Sequence, residues 1–320
     1  MQLDVKKAFA AATPLAEHTA TVDKSPGLAA VDIGEFLSLD IPPREMVVDP
    51  VIPTQGLVML YARRGVGKTH VAIGLAYAVA SGGDFLKWTT PKPRRVLYVD
   101  GEMPAIAMQE RFAAIALNAE PEADPSYLRL ITPDLQGDFG IPDLTTEEGQ
   151  AEIDRHMDGV EFLILDNLST LCRSGRENEA ESWQTMQDWG LRLRRQGVSV
   201  LFVHHSGKGG QQRGTSRRED VLDTIIRLEH STDYKAQEGA RFEVHLDKAR
   251  TIVGDPAAAF EAQLGTEGWT YRTLEDQRLQ RVVALSNDGL KQREIATETG
   301  LSLGTVNACI KRGREKGLIE

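Results

Sequence analysis

The sequence is poor in cysteine, in aromatic residues and in long apolar runs, and its charge balance is not basic. Two cysteines, Cys172 and Cys309, stand far apart in 320 residues and in no metal-ligand spacing. That argues against a disulfide framework or a zinc site and fits a reducing compartment. No segment approaches the ~20 consecutive apolar residues of a membrane helix, and the densest runs, such as 198–203, are strand-sized. The first twelve residues, MQLDVKKAFAAA, carry two lysines but no apolar stretch, so no signal peptide is expected. A soluble, cytoplasmic chain without a membrane partner is the expectation. Lys and Arg number 37 against 47 Asp and Glu, a formal charge of −10. A chain this acidic does not coat nucleic acid with its whole surface, so any such contact must use local basic patches. Internal repeats and low-complexity tracts are also missing.

What is present is a chain long enough for a sizeable core, at ~150 residues per domain about two domains. Residues 1–30, rich in Ala, Thr and charge, read as a mobile arm with a short helix at 4–12. Residues 31–55 contain Pro42, Pro43, Pro50 and Pro53 and read as an extended lead-in. From residue 56, strands and helices alternate. Strands are expected at 56–61, 96–100, 128–132, 162–166 and 198–204, and helices at 68–80, 104–117, 147–157 and 179–195. Short apolar strands separated by helices imply a parallel sheet covered on both faces. Three further strands, 221–228, 240–248 and 257–264, follow without helices, which predicts an antiparallel extension of an α/β sheet. A helical segment then begins, giving domains at 31–275 and 276–320.

Residues 62–69 read A-R-R-G-V-G-K-T, a P-loop with Ala62 at its first glycine, between a predicted strand and helix. Gly65 and Gly67 permit tight turns, and backbone N–H groups across Arg64, Gly65, Val66, Gly67, Lys68, Thr69 and His70 can cradle anionic oxygens at a helix start. Lys68 reaches the β- and γ-phosphates, and Thr69 holds Mg²⁺. Asp166 ends the apolar run FLILD, where an acidic residue holds the metal's hydration shell. Glu102, two residues past the strand VLYVD, is placed to orient a water for in-line attack, with Asp100 a competitor for that role. Either could instead cap the next helix.

This arrangement, followed by F-V-H-H, resembles the RecA-like ATPase core, and within it the plasmid RepA-type hexameric helicases and small ATPase domains of mobile elements, across about residues 40–272. The resemblance implies ATP as nucleotide, Glu102 as the catalytic carboxylate and at least one of His204 and His205 as a γ-phosphate sensor. Lys248 and Arg250 in L-D-K-A-R-T resemble the K-x-R pair that DnaB-type rings send into a neighbour's active site. A homo-oligomer, a hexameric ring, is implied, with a DNA helicase or translocase role in replicating a plasmid or mobile element. A regulator or helicase loader whose ATPase switches assembly is the alternative.

Two segments are candidates for DNA. Residues 206–218 contain Lys208, Arg213, Arg217 and Arg218, four glycines and no acid, which suits sequence-independent phosphate contact. In RecA-like rings this loop lines the channel for single-stranded DNA. In the C-terminal segment, Ile295 and Ala296, the turn Gly300-Leu301-Ser302, then Val306 and Ile310, fit a helix-turn-helix with Thr305, Asn307, Lys311 and Arg312 on the exposed face of its second helix. From Gln277 onward eight basic and five acidic residues leave +3 on a chain of −10.

Overall fold

The computed structural model describes residues 28, 30–173, 179–206, 220–231, 233–250 and 252–319. The chain divides into two compact units, Met1–Arg44 and Glu45–Glu320. In the first, the expected mobile arm and its helix at 4–12 lie outside the described residues. The 31–55 lead-in is not extended throughout: it begins with a helix, α1 (Ile33–Ser38). Asp32 at the N-cap accepts from the Glu35 N–H at 2.8 Å while Glu35 reaches back to the Asp32 N–H at 3.2 Å. This reciprocal cap offsets the entropy of a short helix, and the prolines all follow it.

The second unit opens with a hairpin, β1 (Met46–Val48) and β2 (Ile52–Pro53), where the prolines suggested extended chain alone. β3 (Leu57–Ala62) leads into α2 (Lys68–Ser81). A second small hairpin, β4 (Asp84–Phe85) and β5 (Trp88–Thr89), follows. Next come β6 (Val96–Asp100), α3 (Ala105–Ala116), β7 (Leu128–Ile131), α4 (Glu147–Asp154), β8 (Phe162–Asp166), α5 (Leu168–Leu171), α6 (Glu179–Arg195) and β9 (Ser199–His205). Four strands then run on, β10 (Thr224–Glu229), β11 (Arg241–Ala249), β12 (Phe260–Gly265) and β13 (Gly268–Thr273). The helices α7 (Leu274–Asn287), α8 (Gln292–Thr299) and α9 (Leu303–Glu315) complete the chain.

Nine strands form one sheet in the order β13-β12-β11-β10-β3-β9-β8-β6-β7. Alternate strand residues enter two cores. Val58, Leu60, Tyr98, Ile164 and Leu201 face α2, while Met59, Val99, Leu163, Val200 and Phe202 face Trp183, Met186, Trp189 and Leu193 of α6. Burial on both faces explains why these strands read as unbroken apolar runs. It also explains why α2 is buried nearly all round rather than along the single face its sequence suggested.

The expected α/β class with an antiparallel extension holds, with one correction. The first of the three late strands, β10, is parallel to β3, so the antiparallel part is β11 to β13. The 206–223 connection has the dozen or more residues that a parallel crossover requires. β13, unforeseen, pairs with β12 across a two-residue turn.

Thr273 caps α7, accepting from the Asp276 N–H. Gly300 takes the left-handed conformation (φ 68°) that ends α8, and Ser302 caps α9 by accepting from Thr305 N–H at 3.1 Å. Val282, Ile295, Val306, Ile310 and Ile319 form their own small core. Among the described residues no helix is long and apolar enough to cross a membrane.

Candidate nucleotide site

The P-loop leaves the centre of the sheet. Ala62 is still within β3, buried and in ladder register with His205, so the position asks nothing that only glycine can supply. Its carbonyl accepts from the Ser206 N–H at 2.9 Å. Gly67, the N-cap of α2, is a different case. Its φ is 128°, and a Cβ there would stand 2.7 Å from a ring carbon of Phe242 on β11. With no side-chain cap, the first-turn N–H groups of α2 remain available for an anion.

Lys68, 5% exposed, donates from Nζ to the carbonyls of Ala62 at 3.1 Å and Arg63 at 2.9 Å. Burial pushes its ammonium down to about 8, against the opposing pull of Asp166 and Glu102. Arg64, Gly65, Gly67, Lys68, Thr69, His70, Glu102, Arg111, Asp166, Asn167 and His205 line one cleft of about 400 Å³. Val66 instead turns into the apolar core.

The carboxylates separate by environment. Asp166 is 2% exposed, and burial raises its pKa although hydrogen bonds from Tyr98 and Thr69 oppose the shift. Asp100, its register partner on β6, is equally buried. Its Oδ2 accepts the N–H groups of Met103 at 2.7 Å and Glu102 at 3.2 Å, and burial pushes it up to about 7. Glu102 is exposed and lines the cleft. Asp100 therefore ties the turn that carries Glu102. The Thr69 hydroxyl and the Asp166 carboxylate are hard oxygen donors lining the same cleft. That set fits Mg²⁺, which binds through one or two protein oxygens plus substrate phosphates. Among the described residues no group of three or more His, Cys, Asp or Glu forms an all-protein metal cage.

Of the two histidines, His205 lines the cleft and His204 is not among the lining residues. Consecutive strand residues face opposite sides of a sheet. Burial, then Lys68, pushes His205 down to about 4, and burial, then Arg111, does the same to His70. Both rings are thus neutral at pH 7.

Lys248 and Arg250 lie outside their own chain's cleft. Lys248 stands opposite Ile225 in the β10–β11 ladder, and the Arg250 guanidinium donates to the Asp220 carbonyl. Lys208, Arg213, Arg217 and Arg218 lie outside the described residues. On α9, Asn307 and Lys311 are exposed, and the Thr305 hydroxyl bonds that of Ser302 at 2.8 Å. Arg312 is half-buried and paired with Glu275 of α7, so it braces the helices as well as edging the exposed face.

The profile of the AAA domain family matches residues 22–211, more than half of the chain. The chain belongs to the AAA domain family. A second profile, winged helix-turn-helix DNA-binding, matches residues 283–320 of this AAA protein. Its fold is similar to the crystal structure of a KaiC-like protein from the hyperthermophilic archaeon Pyrococcus horikoshii OT3, at 16% identity with a TM-score of 0.51. The match covers 72% of this chain and 96% of that one. The fold is thus a RecA/KaiC-type P-loop ATPase core followed by a helix-turn-helix.

Sequence reasoning missed three participants in the AAA protein's site. Tyr98 donates to Asp166, Phe242 packs beneath Gly67, and Arg111 of α3 lines the cleft. Arg111 and His70 also line a larger cleft of about 600 Å³ between α2, α3 and the β12–β13 turn, walled by Tyr77, Phe85, Trp269 and Tyr271. Only Tyr98 left a sequence signal. A tyrosine in the otherwise apolar run VLYV must find a partner for its hydroxyl.

Proposed function

We propose that this AAA protein is an ATP-driven, ring-forming motor on DNA, a helicase or translocase serving replication of a plasmid or mobile element. The observation that carries this reading is the gathering of Lys68, Thr69, Asp166, Glu102 and His205 around one cleft at a helix N-terminus. The P-loop N–H groups and Lys68 bind the triphosphate, and the adjoining aromatic-walled cleft receives the nucleoside. Thr69 and Asp166 would hold Mg²⁺, whose charge when bound neutralises phosphate oxygens. Glu102 orients water and accepts its proton, and His205, neutral and within the cleft, responds to the γ-phosphate. Lys248 and Arg250, away from their own cleft, serve a neighbour's site in a homo-hexamer. The basic 206–218 segment would contact single-stranded DNA in the channel, and residues 276–320 would contact duplex DNA.

A second reading, a DNA-binding regulator or loader, is favoured by one feature: the fully formed helix-turn-helix with Asn307 and Lys311 exposed on α9. ATP turnover with and without single-stranded DNA, run beside strand displacement, tests the choice. Stimulation by any sequence together with displacement supports the motor. Sequence-specific duplex binding with no displacement supports the regulator.

A further inference from the structure

Tyr98 lies in mid-strand on β6 with no exposed surface. Its ring meets Phe112 of α3 edge-on, with centroids 6.1 Å apart and planes at 85°. Its hydroxyl crosses to the neighbouring strand β8 and donates to Asp166 Oδ2 at 2.7 Å. Thr69, in the first turn of α2, lines the cleft beside the same carboxylate and interacts with it. One hydroxyl from β6 therefore holds a buried carboxylate that shares the cleft with Thr69.

Packing alone does not ask for this hydroxyl. At a dry strand position beside Phe112, phenylalanine would fill the same space without a polar atom to satisfy. A donor aimed at a buried carboxylate makes a charge-assisted bond and fixes a side chain that could otherwise turn about two torsions. A phenol is protonated at neutral pH, so Tyr98 is the donor and Asp166 the acceptor. Tyr98 does not line the phosphate cleft itself.

We propose that Tyr98 is a positioning residue for the metal side of the nucleotide site: its hydroxyl holds Asp166 in the orientation that meets Thr69, and so sets the affinity of the site for Mg²⁺ but not for nucleotide. This rests on the nucleotide–Mg²⁺ reading of the cleft. Groups one shell out from a metal tune it in this way, and their loss weakens binding by about 10–100-fold.

The test uses the full chain, a non-hydrolysable ATP analogue and Mn²⁺ followed by electron paramagnetic resonance. In Tyr98→Phe, analogue affinity without metal should stay at the wild-type level, while the Mn²⁺ dissociation constant in the ternary complex rises about 10–100-fold. In an Asp166→Ala background the same substitution should add nothing, because both changes remove one interaction. A merely structural tyrosine would weaken analogue and Mn²⁺ binding together, and in both backgrounds. Should Tyr98→Phe fail to fold by thermal unfolding, Phe112→Leu loosens the ring while keeping the hydroxyl. It should weaken Mn²⁺ in the same direction, to a smaller degree, with metal-free affinity kept. Unchanged Mn²⁺ affinity in folded Tyr98→Phe, further loss in the Asp166→Ala background, or joint loss in Phe112→Leu would overturn the proposal. Absence of analogue binding by the wild type would overturn the nucleotide reading and the proposal with it, whereas failure of the tyrosine claim alone leaves wild-type binding intact.

Discussion

At the scale of single residues, the site depends on how far each charge is removed from water. Lys68 is held near 8 by burial, and a bound triphosphate adds negative charge that raises it. Binding should therefore take up a proton around pH 8. Affinity should be full below that pH and fall as pH rises through it, by up to about tenfold per unit. Calorimetry in two buffers of different ionisation enthalpy reads the uptake directly, and Lys68→Ala should lose both the uptake and ATP turnover. The two candidate carboxylates are separated by their partners. Asp100 accepts two backbone N–H groups, while Glu102 faces the cleft. Glu102→Gln should bind ATP normally and lose about 10²–10⁴-fold in turnover. Asp100→Asn should mainly lower thermal stability. Turnover lost in Asp100→Asn and kept in Glu102→Gln would reverse the assignment. That choice was open in the sequence because both carboxylates sit at one strand end, Asp100 in its last position and Glu102 two residues on; burial and hydrogen-bond partners divide them. Tyr98 signalled that its hydroxyl needs a partner but not which one, since Asp166 lies 68 positions away.

At the scale of elements, periodicity carried most of the architecture. The bounds of β6, β8 and α6 coincide with those expected from apolar runs and helical spacing. Most pieces that escaped are short: α1 depends on a reciprocal cap, and β4 and β5 on a local pairing of two residues each, whereas the six-residue β13 escaped because it is polar and largely uncovered. A two-residue strand has no period to detect. The direction of β10 escaped for another reason, because strand polarity is a property of the connection and not of the strand. The P-loop joins these scales. Gly67 must be glycine both for its φ and for the ring of Phe242 that comes from β11, some 175 positions later (242 − 67). Gly67→Ala should cost about 1–3 kcal/mol in backbone strain and displace the loop. Thermal unfolding and fluorescent-nucleotide titration should both register it. Adding Phe242→Ala should relieve the contact but not the strain, so recovery should be partial. Full recovery would mean that the φ requirement is not real.

At the scale of the whole molecule, a ring of these subunits would have each complete its neighbour's site. Lys248 and Arg250 stand apart from their own cleft, while the P-loop side is assembled within one chain. Arg250→Ala and Lys68→Ala subunits should each be inactive alone. In mixed rings an intact P-loop from the Arg250→Ala subunit meets an intact Arg250 from the Lys68→Ala subunit. Each defect then lies on a different side of the interface. The decisive measurement is ATP turnover across mixing ratios of these two variants, with co-assembly verified by native mass measurement. Partial return of turnover, greatest at intermediate ratios, is the result expected of a ring whose subunits share active sites. Verified co-assembly with no turnover at any ratio would contradict it.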